Sequence, residues 1–143
     1  MIRHVYTDLT TRQNISFGMF GRGTLGSRKD LRDLSNHTVI VVADEIMDES
    51  LVKAATDMIL TRGCKSIAFC GEASEDLRTI FSEEDIEING YEDFAVMWGI
   101  EDIENLAEEV SNCWNEVLIL CSNMSVLREC KYAMREEAWG RCE

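Results

Sequence analysis

The apolar positions divide the chain from residue 38 onward into four similar units. In each unit a short apolar run ends at one or two small or acidic residues, and a segment with helical spacing of apolar residues follows. The runs are Thr38–Ala43, Ser66–Cys70, Phe94–Trp98 and Glu116–Cys121. Continuous apolar runs that alternate with helices are typical of parallel strands covered on both faces.

This alternation predicts one α/β domain over residues 1–143, built as a three-layer Rossmann-like sandwich. Each connection is long enough for a helical crossover, so we expect a mainly parallel sheet of four to five strands with helices on both faces. Residues 38–143 form the acidic βα-repeat body. Residues 1–37 form a basic, glycine-containing N-terminal arm, in which Asn14–Phe20 alternates like a half-buried strand.

The stretch 82–93 is the least regular part of the body. Six of its twelve residues are acidic, and Asn89–Gly90 is a turn signal. We expect a mobile acidic loop here, with a hairpin or two-helix insertion as the alternative. Glu83, Glu84 and Asp85 are its candidate partner-binding residues.

The charge of the chain is large and uneven. The net charge is −13, with +3 in residues 1–37 and −16 in residues 38–143. The body should therefore repel nucleic acid and anionic membranes and attract basic proteins. Solubility alone is the simpler explanation of the same charge.

Composition also bears on the compartment. No apolar stretch approaches the length of a membrane span, and the N-terminus lacks the apolar region of a secretory signal. The six cysteines include no CxxC pair, which disfavours a structural zinc site. We expect a cytoplasmic protein with reduced thiols.

One glycine-rich segment matches a nucleotide-binding motif. Gly21, Arg22, Gly23 and Gly26 lie in a G-x-G-x-x-G sequence, and Asp44 follows the next strand. In a dinucleotide fold the glycines admit the pyrophosphate and the aspartate binds the ribose. The highly charged segment after Gly26 is unlike the apolar helix of that motif, so a plain glycine-rich connector is the alternative.

The cations of this segment have two further uses. Arg22 and Arg28 lie close to accessible glycine amides and can hold a phosphate. They can equally pair with the acidic body, in the same subunit or in a neighbouring one. A homo-oligomer and the identity of any cofactor are therefore left open.

Polar residues, together with Trp98, lie at or just after the ends of all four runs. Parallel strands would bring them to one edge of the sheet, where ligands bind in open α/β folds. Carboxylates there can bind a hard cation or do acid–base chemistry. Helix capping is the simpler role of such residues. The residues of this strand-end cluster are Asp44, Glu45, Glu72, Trp98, Glu101, Ser122 and Asn123.

A catalytic set is not evident in the sequence. The two histidines, His4 and His37, lie outside the strand-end cluster, and His37 begins a strand at the opposite edge of a parallel sheet. This placement disfavours a Cys–His pair. Whether the protein is an enzyme stays open.

The sequences VVADEIMDESL, GCKSIAFCGE and FAVMWG resemble those of an uncharacterised family of small bacterial α/β domains. Proteins of that family end strands in a D-E or G-E pair and carry a tryptophan-containing turn. The resemblance spans about residues 38–121. It implies the same fold and no particular activity.

Two hypotheses follow. The first is a non-enzymatic binding protein that docks a basic protein partner, for example an inhibitor or immunity protein of a basic enzyme. The second is a nucleotide- or phosphometabolite-binding domain, with a cation-dependent enzyme as its extension. The first needs an acidic contact surface, and the second needs the glycine-rich segment next to Asp44.

Overall fold

A computed structural model of the protein describes residues 2–8, 13–20, 31–45, 48–113 and 115–139. These residues form a six-stranded sheet whose strands lie in the order β1-β2-β6-β3-β4-β5. The strands are β1 (Ile2–Asp8), β2 (Gln13–Met19), β3 (His37–Val42), β4 (Ser66–Cys70), β5 (Val96–Ile100) and β6 (Glu116–Cys121). The helices are α1 (Glu49–Thr61), α2 (Ser74–Asn89), α3 (Leu106–Asn112) and α4 (Met124–Trp139).

Five neighbouring strands, from β2 to β5 across the sheet, are all parallel. This confirms the predicted α/β sandwich with a mainly parallel sheet. β1 adds an antiparallel edge strand beside β2. The predicted N-terminal arm thus supplies two strands of the sheet. β6 lies between β2 and β3, an order that the sequence does not reveal.

Helices cover both faces because side chains alternate along the strands. Val39 and Val41 point to one face, where they join the core beneath α1 and α2. Ile40 and Val42 point to the other face, beneath α3 and α4. Burial on both sides explains why β3 reads as one uninterrupted apolar run.

The expected loop over residues 82–93 is wrong in its first part, because α2 continues to Asn89. The buried stripe of this helix includes Leu77, Phe81 and Asp85 at four-residue spacing. Because an aspartate occupies the third of these positions, the apolar residues of the sequence do not show the helical spacing there. Gly90, with φ of 75°, ends the helix.

The third apolar run is also displaced. The sequence places it at Phe94–Trp98, whereas β5 spans Val96–Ile100. Gly99, which reads as a stop, pairs in register with Phe69 of β4. Within the described ranges, no helix has the length and hydropathy that crossing a bilayer requires.

Candidate functional site

The carboxyl ends of four parallel strands meet at one edge of the sheet. Cys121, Val42, Cys70 and Ile100 are paired in register across neighbouring strands. The structure therefore brings six residues of the strand-end cluster to this edge: Asp44, Glu45, Glu72, Glu101, Ser122 and Asn123. They extend over three strand spacings, about 14 Å.

The topological switch point of this edge lies between β3 and β6. The chain leaves β3 for α1 on one face of the sheet and leaves β6 for α4 on the other. Ligands bind at such switch points in open α/β sheets. Ser122 N–H donates to the Val42 carbonyl at 3.0 Å. The Ser122 hydroxyl is buried and hydrogen-bonds to no described residue.

Capping accounts for one member of the cluster. Asn123 Oδ1 accepts a hydrogen bond from Val126 N–H at 2.9 Å, at the start of α4. The cap of α1 is Asp48, whose carboxylate accepts from Ser50 N–H at 2.9 Å. Asp44 and Glu45 are exposed ahead of that cap.

At the carboxyl edge between β3 and β4, the space is occupied by main-chain atoms. Gly71 has φ of 101°, and a Cβ on it would overlap the Ala43 carbonyl oxygen and lie 2.7 Å from the carbonyl carbon. Ala73 N–H donates to the same carbonyl oxygen at 3.1 Å. The turn after β4 therefore rests directly on the end of β3. Among the described residues, no three His, Cys, Asp or Glu side chains are placed to hold a metal ion.

The glycine-rich segment itself lies outside the described residues, so Gly21, Arg22, Gly23, Gly26 and Arg28 stay predictions. The preceding residue, Phe20, donates its N–H to the Cys121 carbonyl at 2.8 Å, so Phe20 itself lies at the carboxyl edge.

The strand order bears on this motif. In a dinucleotide fold, the strand before the glycines neighbours the strand that ends at the ribose-binding acid. Here β6 separates β2 from β3. Asp44 thus follows a strand about 10 Å from the one that precedes the glycines. This order departs from the dinucleotide pattern.

Trp98 does not belong to the carboxyl edge. It lies in the middle of β5, in register with Ala68 of β4. Its half-buried ring packs on the face of α3 and α4, and its Nε1–H donates to Glu109 Oε2 at 3.3 Å. The two-residue displacement of β5 explains the error.

The three candidate partner-binding carboxylates lie on α2 in three different environments. Glu83 is exposed. Glu84 faces α1, with Lys53 Nζ 3.7 Å from its carboxylate. A hydrogen bond with Asp57, followed by burial, raises the pKa of Glu84. Asp85 is 3% exposed, so it cannot contact a partner.

Sequence reasoning missed an exposed apolar segment at the end of α2 and the start of β5. Four of the six large apolar side chains that are exposed among the described residues lie between residues 86 and 96. They are Ile86, Tyr91, Phe94 and Val96, with exposed fractions of 40%, 79%, 60% and 60%. We call these four residues the apolar rim. Phe94 and Val96 belong to the third apolar run, and Ile86 and Tyr91 lie in the stretch expected to be an acidic loop. Periodicity alone does not distinguish an exposed edge strand from a buried central one.

The five described cysteines are free thiols. Burial raises the pKa of Cys64 and of Cys70 to about 11. The Sγ atoms of Cys121 and Cys130 are 3.7 Å apart, and this hydrogen bond together with burial raises the pKa of Cys130. Such thiols are inert at neutral pH.

Comparisons with known proteins add no identity. No protein-family model matches the chain, and a search of curated proteins finds no match either. The resemblance to small bacterial α/β domains stays a prediction.

Proposed function

We propose that the protein is a binding module that docks a basic protein partner through the apolar rim. The observation that carries this proposal is that four of the six large exposed apolar side chains among the described residues lie in one segment. Large exposed apolar side chains that are grouped together and accompanied by polar residues are typical of protein interaction sites.

Exposed acidic side chains lie within the rim and beside it. Glu92 and Asp93 lie within it, and Glu83 and Glu87 are exposed on the adjoining turns of α2. Among these, Asp93 pairs with a cation, Lys65 Nζ, at 3.3 Å. Apolar side chains surrounded by acidic ones suit a basic partner. Long-range attraction between opposite charges raises the association rate, and buried apolar contacts lower the dissociation rate. An inhibitor of a basic enzyme is one concrete form.

The rim is also rigidly supported. Asp85 Oδ2 accepts from Ala95 N–H at 2.8 Å, and Asp85 Oδ1 accepts from Asn89 Nδ2 at 2.6 Å. Lys65 Nζ donates to the Asp93 carbonyl at 2.6 Å. Binding through a segment fixed in this way costs little ordering entropy.

Affinity capture from the source cells at low ionic strength tests the proposal. The bait is compared with a double variant, Phe94→Ser with Val96→Thr, which removes apolar area and leaves the net charge unchanged. The matched control is Tyr132→Ser, since Tyr132 is 66% exposed but lies on α4.

We expect the unchanged protein and the Tyr132→Ser control to retain the same basic protein, with release at high salt. The double variant should retain at least tenfold less. Equal retention by all three baits would refute the rim as the docking surface. Thermal stabilisation by ATP or inorganic phosphate, without any retained protein, would instead favour the nucleotide- or phosphometabolite-binding alternative.

A further inference from the structure

β5 is the outer parallel strand of the sheet, and its backbone has a definite outward side. Val96 N–H donates to the Lys65 carbonyl at 2.8 Å, so the Val96 peptide groups face β4. Because successive residues of a strand direct their N–H and C=O groups to opposite sides, Met97 and Gly99 present theirs outward.

α2 covers only part of this outward side. Arg78 Nη2 donates to the Met97 carbonyl at 2.9 Å, and the Asp85 carboxylate accepts a hydrogen bond from the Ala95 N–H. In the part of the chain that the structure describes, nothing accepts from Met97 N–H or Gly99 N–H. A Cβ on Gly99 would meet no atom within 4 Å. The strand itself, VMWGI, carries neither a charge nor a proline, two of the usual protections of an edge.

We infer that the basic partner adds an extended segment to β5 as a further strand of the sheet. This inference rests on the proposed function and assigns it a binding mode. Main-chain hydrogen bonds to Met97 and Gly99 would supply affinity, and alternate side chains of the segment would contact Phe94 and Val96.

Charge complementarity identifies the occupant. Exposed acidic pairs stand at both ends of the edge strand, Glu92–Asp93 before it and Glu101–Asp102 after it. Asp93 and Glu101 are eight residues apart, roughly 26 Å along an extended chain. The matching segment therefore carries basic residues about eight positions apart, with apolar and β-branched residues between them.

A second copy of this chain fits the same edge poorly. Antiparallel pairing of two β5 strands about a two-fold axis would bring Glu92–Asp93 of one copy against Glu101–Asp102 of the other. Opposed like-charge pairs destabilise an interface. The edge therefore favours a basic partner over self-association.

The probe that tests this mode is a synthetic peptide with two arginines at each end and seven alternating valines and threonines between them. Two isomers with two N-methyl groups each provide the control: one is methylated on two of the threonines, the other on the two central valines. Strand addition needs N–H donors on only one side of the peptide. We expect one isomer to bind like the parent peptide and the other at least tenfold more weakly.

Backbone hydrogen exchange of the unchanged protein gives a second readout. Peptide binding should slow exchange at Met97 and Gly99 at least tenfold, with little change at Trp98, whose N–H faces β4. On the protein side, Gly99→Pro should abolish binding, since it removes an outward N–H. Gly99→Ala keeps this N–H and should bind normally.

The outcomes separate the two proposals. Equal binding of both methylated isomers, or uniform protection along β5, would overturn strand addition, as would failure of the parent peptide to bind. A basic protein whose capture depends on Phe94 and Val96 would still support the proposed function in those cases. Loss of that dependence would refute the proposed function itself.

Discussion

The carboxylate of Asp85 accepts the N–H of Ala95 at 2.8 Å, from a position that is almost fully buried. This bond connects the fourth turn of α2 to the residue that precedes β5. A residue that reads as part of an acidic loop is thus a structural support of the edge strand. Asp85 thus supports the apolar rim from inside the core.

Replacing Asp85 should destabilise the protein. Asp85→Ala leaves the Ala95 N–H without its acceptor, and we expect a loss of about 2 kcal/mol in the free energy of unfolding. Urea denaturation measures it, and exchange of the Ala95 amide should accelerate. Glu83→Ala is the control, because Glu83 is exposed on the same helix and should change stability by no more than about 0.5 kcal/mol. Equal effects of the two substitutions would contradict the assigned role.

Two glycines with positive φ should differ in their tolerance of alanine. Gly90→Ala meets no atom within 4 Å, so it carries only the backbone strain of φ 75°, ψ −172°, about 1 to 3 kcal/mol. Gly71→Ala adds an overlap with the Ala43 carbonyl. We expect it to cost more than Gly90→Ala, by about 1 kcal/mol or more. Thermal or urea unfolding gives the comparison, and the reverse order would show that the turn after β4 can move away from β3.

The Asp57–Glu84 contact should make stability depend on pH. The folded chain raises the pKa of Glu84 above its ordinary 4.5, chiefly through the hydrogen bond with Asp57. The folded state therefore holds this proton more tightly than the unfolded state. The stabilisation is complete at acid pH and is lost as the pH rises through the folded-state pKa.

Asp57→Asn should remove this loss, because an amide can donate to the ionised Glu84. We expect a gain of about 0.5 kcal/mol at neutral pH that disappears near pH 4. Carboxyl titration by NMR should show a lower pKa for Glu84. Glu83→Gln controls for the general benefit of removing one negative charge. A gain of the same size in this control would mean that the contact itself contributes nothing.

The buried thiols should resist alkylation. At pH 8 a pKa of about 11 in place of 9.0 lowers the thiolate fraction of Cys64 and Cys70 about 100-fold. Iodoacetamide labelling followed by peptide mass mapping should show slow modification of both in the folded protein and rapid modification in urea. Fast labelling of Cys70 in the folded protein would indicate that α3 and α4 separate readily from the sheet face that they cover.

Periodicity predicts the central elements of this fold and not its edges. β3, β4 and β6 are recognisable because both their faces are buried, which demands uninterrupted apolar residues. β5 has a similar composition but lies at an edge of the sheet. Nothing in its sequence, VMWGI, distinguishes an edge strand from a central one. Its displacement placed Trp98 in the wrong cluster.

Tertiary partners decide the remaining differences. Asp85 reads as solvent-exposed because its partner, the Ala95 backbone, is ten residues away and carries no sequence signal. The strand-end residues reach one edge as expected, since parallel strands require it. Their neighbours across the sheet depend on strand order, which the apolar pattern of the sequence does not encode.

The insertion of β6 between β2 and β3 has a consequence for how the molecule is made. Ile15 pairs with Val117, about a hundred residues later in the chain. While the polypeptide is being synthesised, the first hairpin and the half of the sheet containing β3, β4 and β5 have no common strand until residues 116–121 leave the ribosome. Such long-range pairing slows folding and leaves unpaired strands exposed in the meantime. The order of synthesis therefore leaves the edges of β2 and β3 open to wrong pairing until β6 has been made.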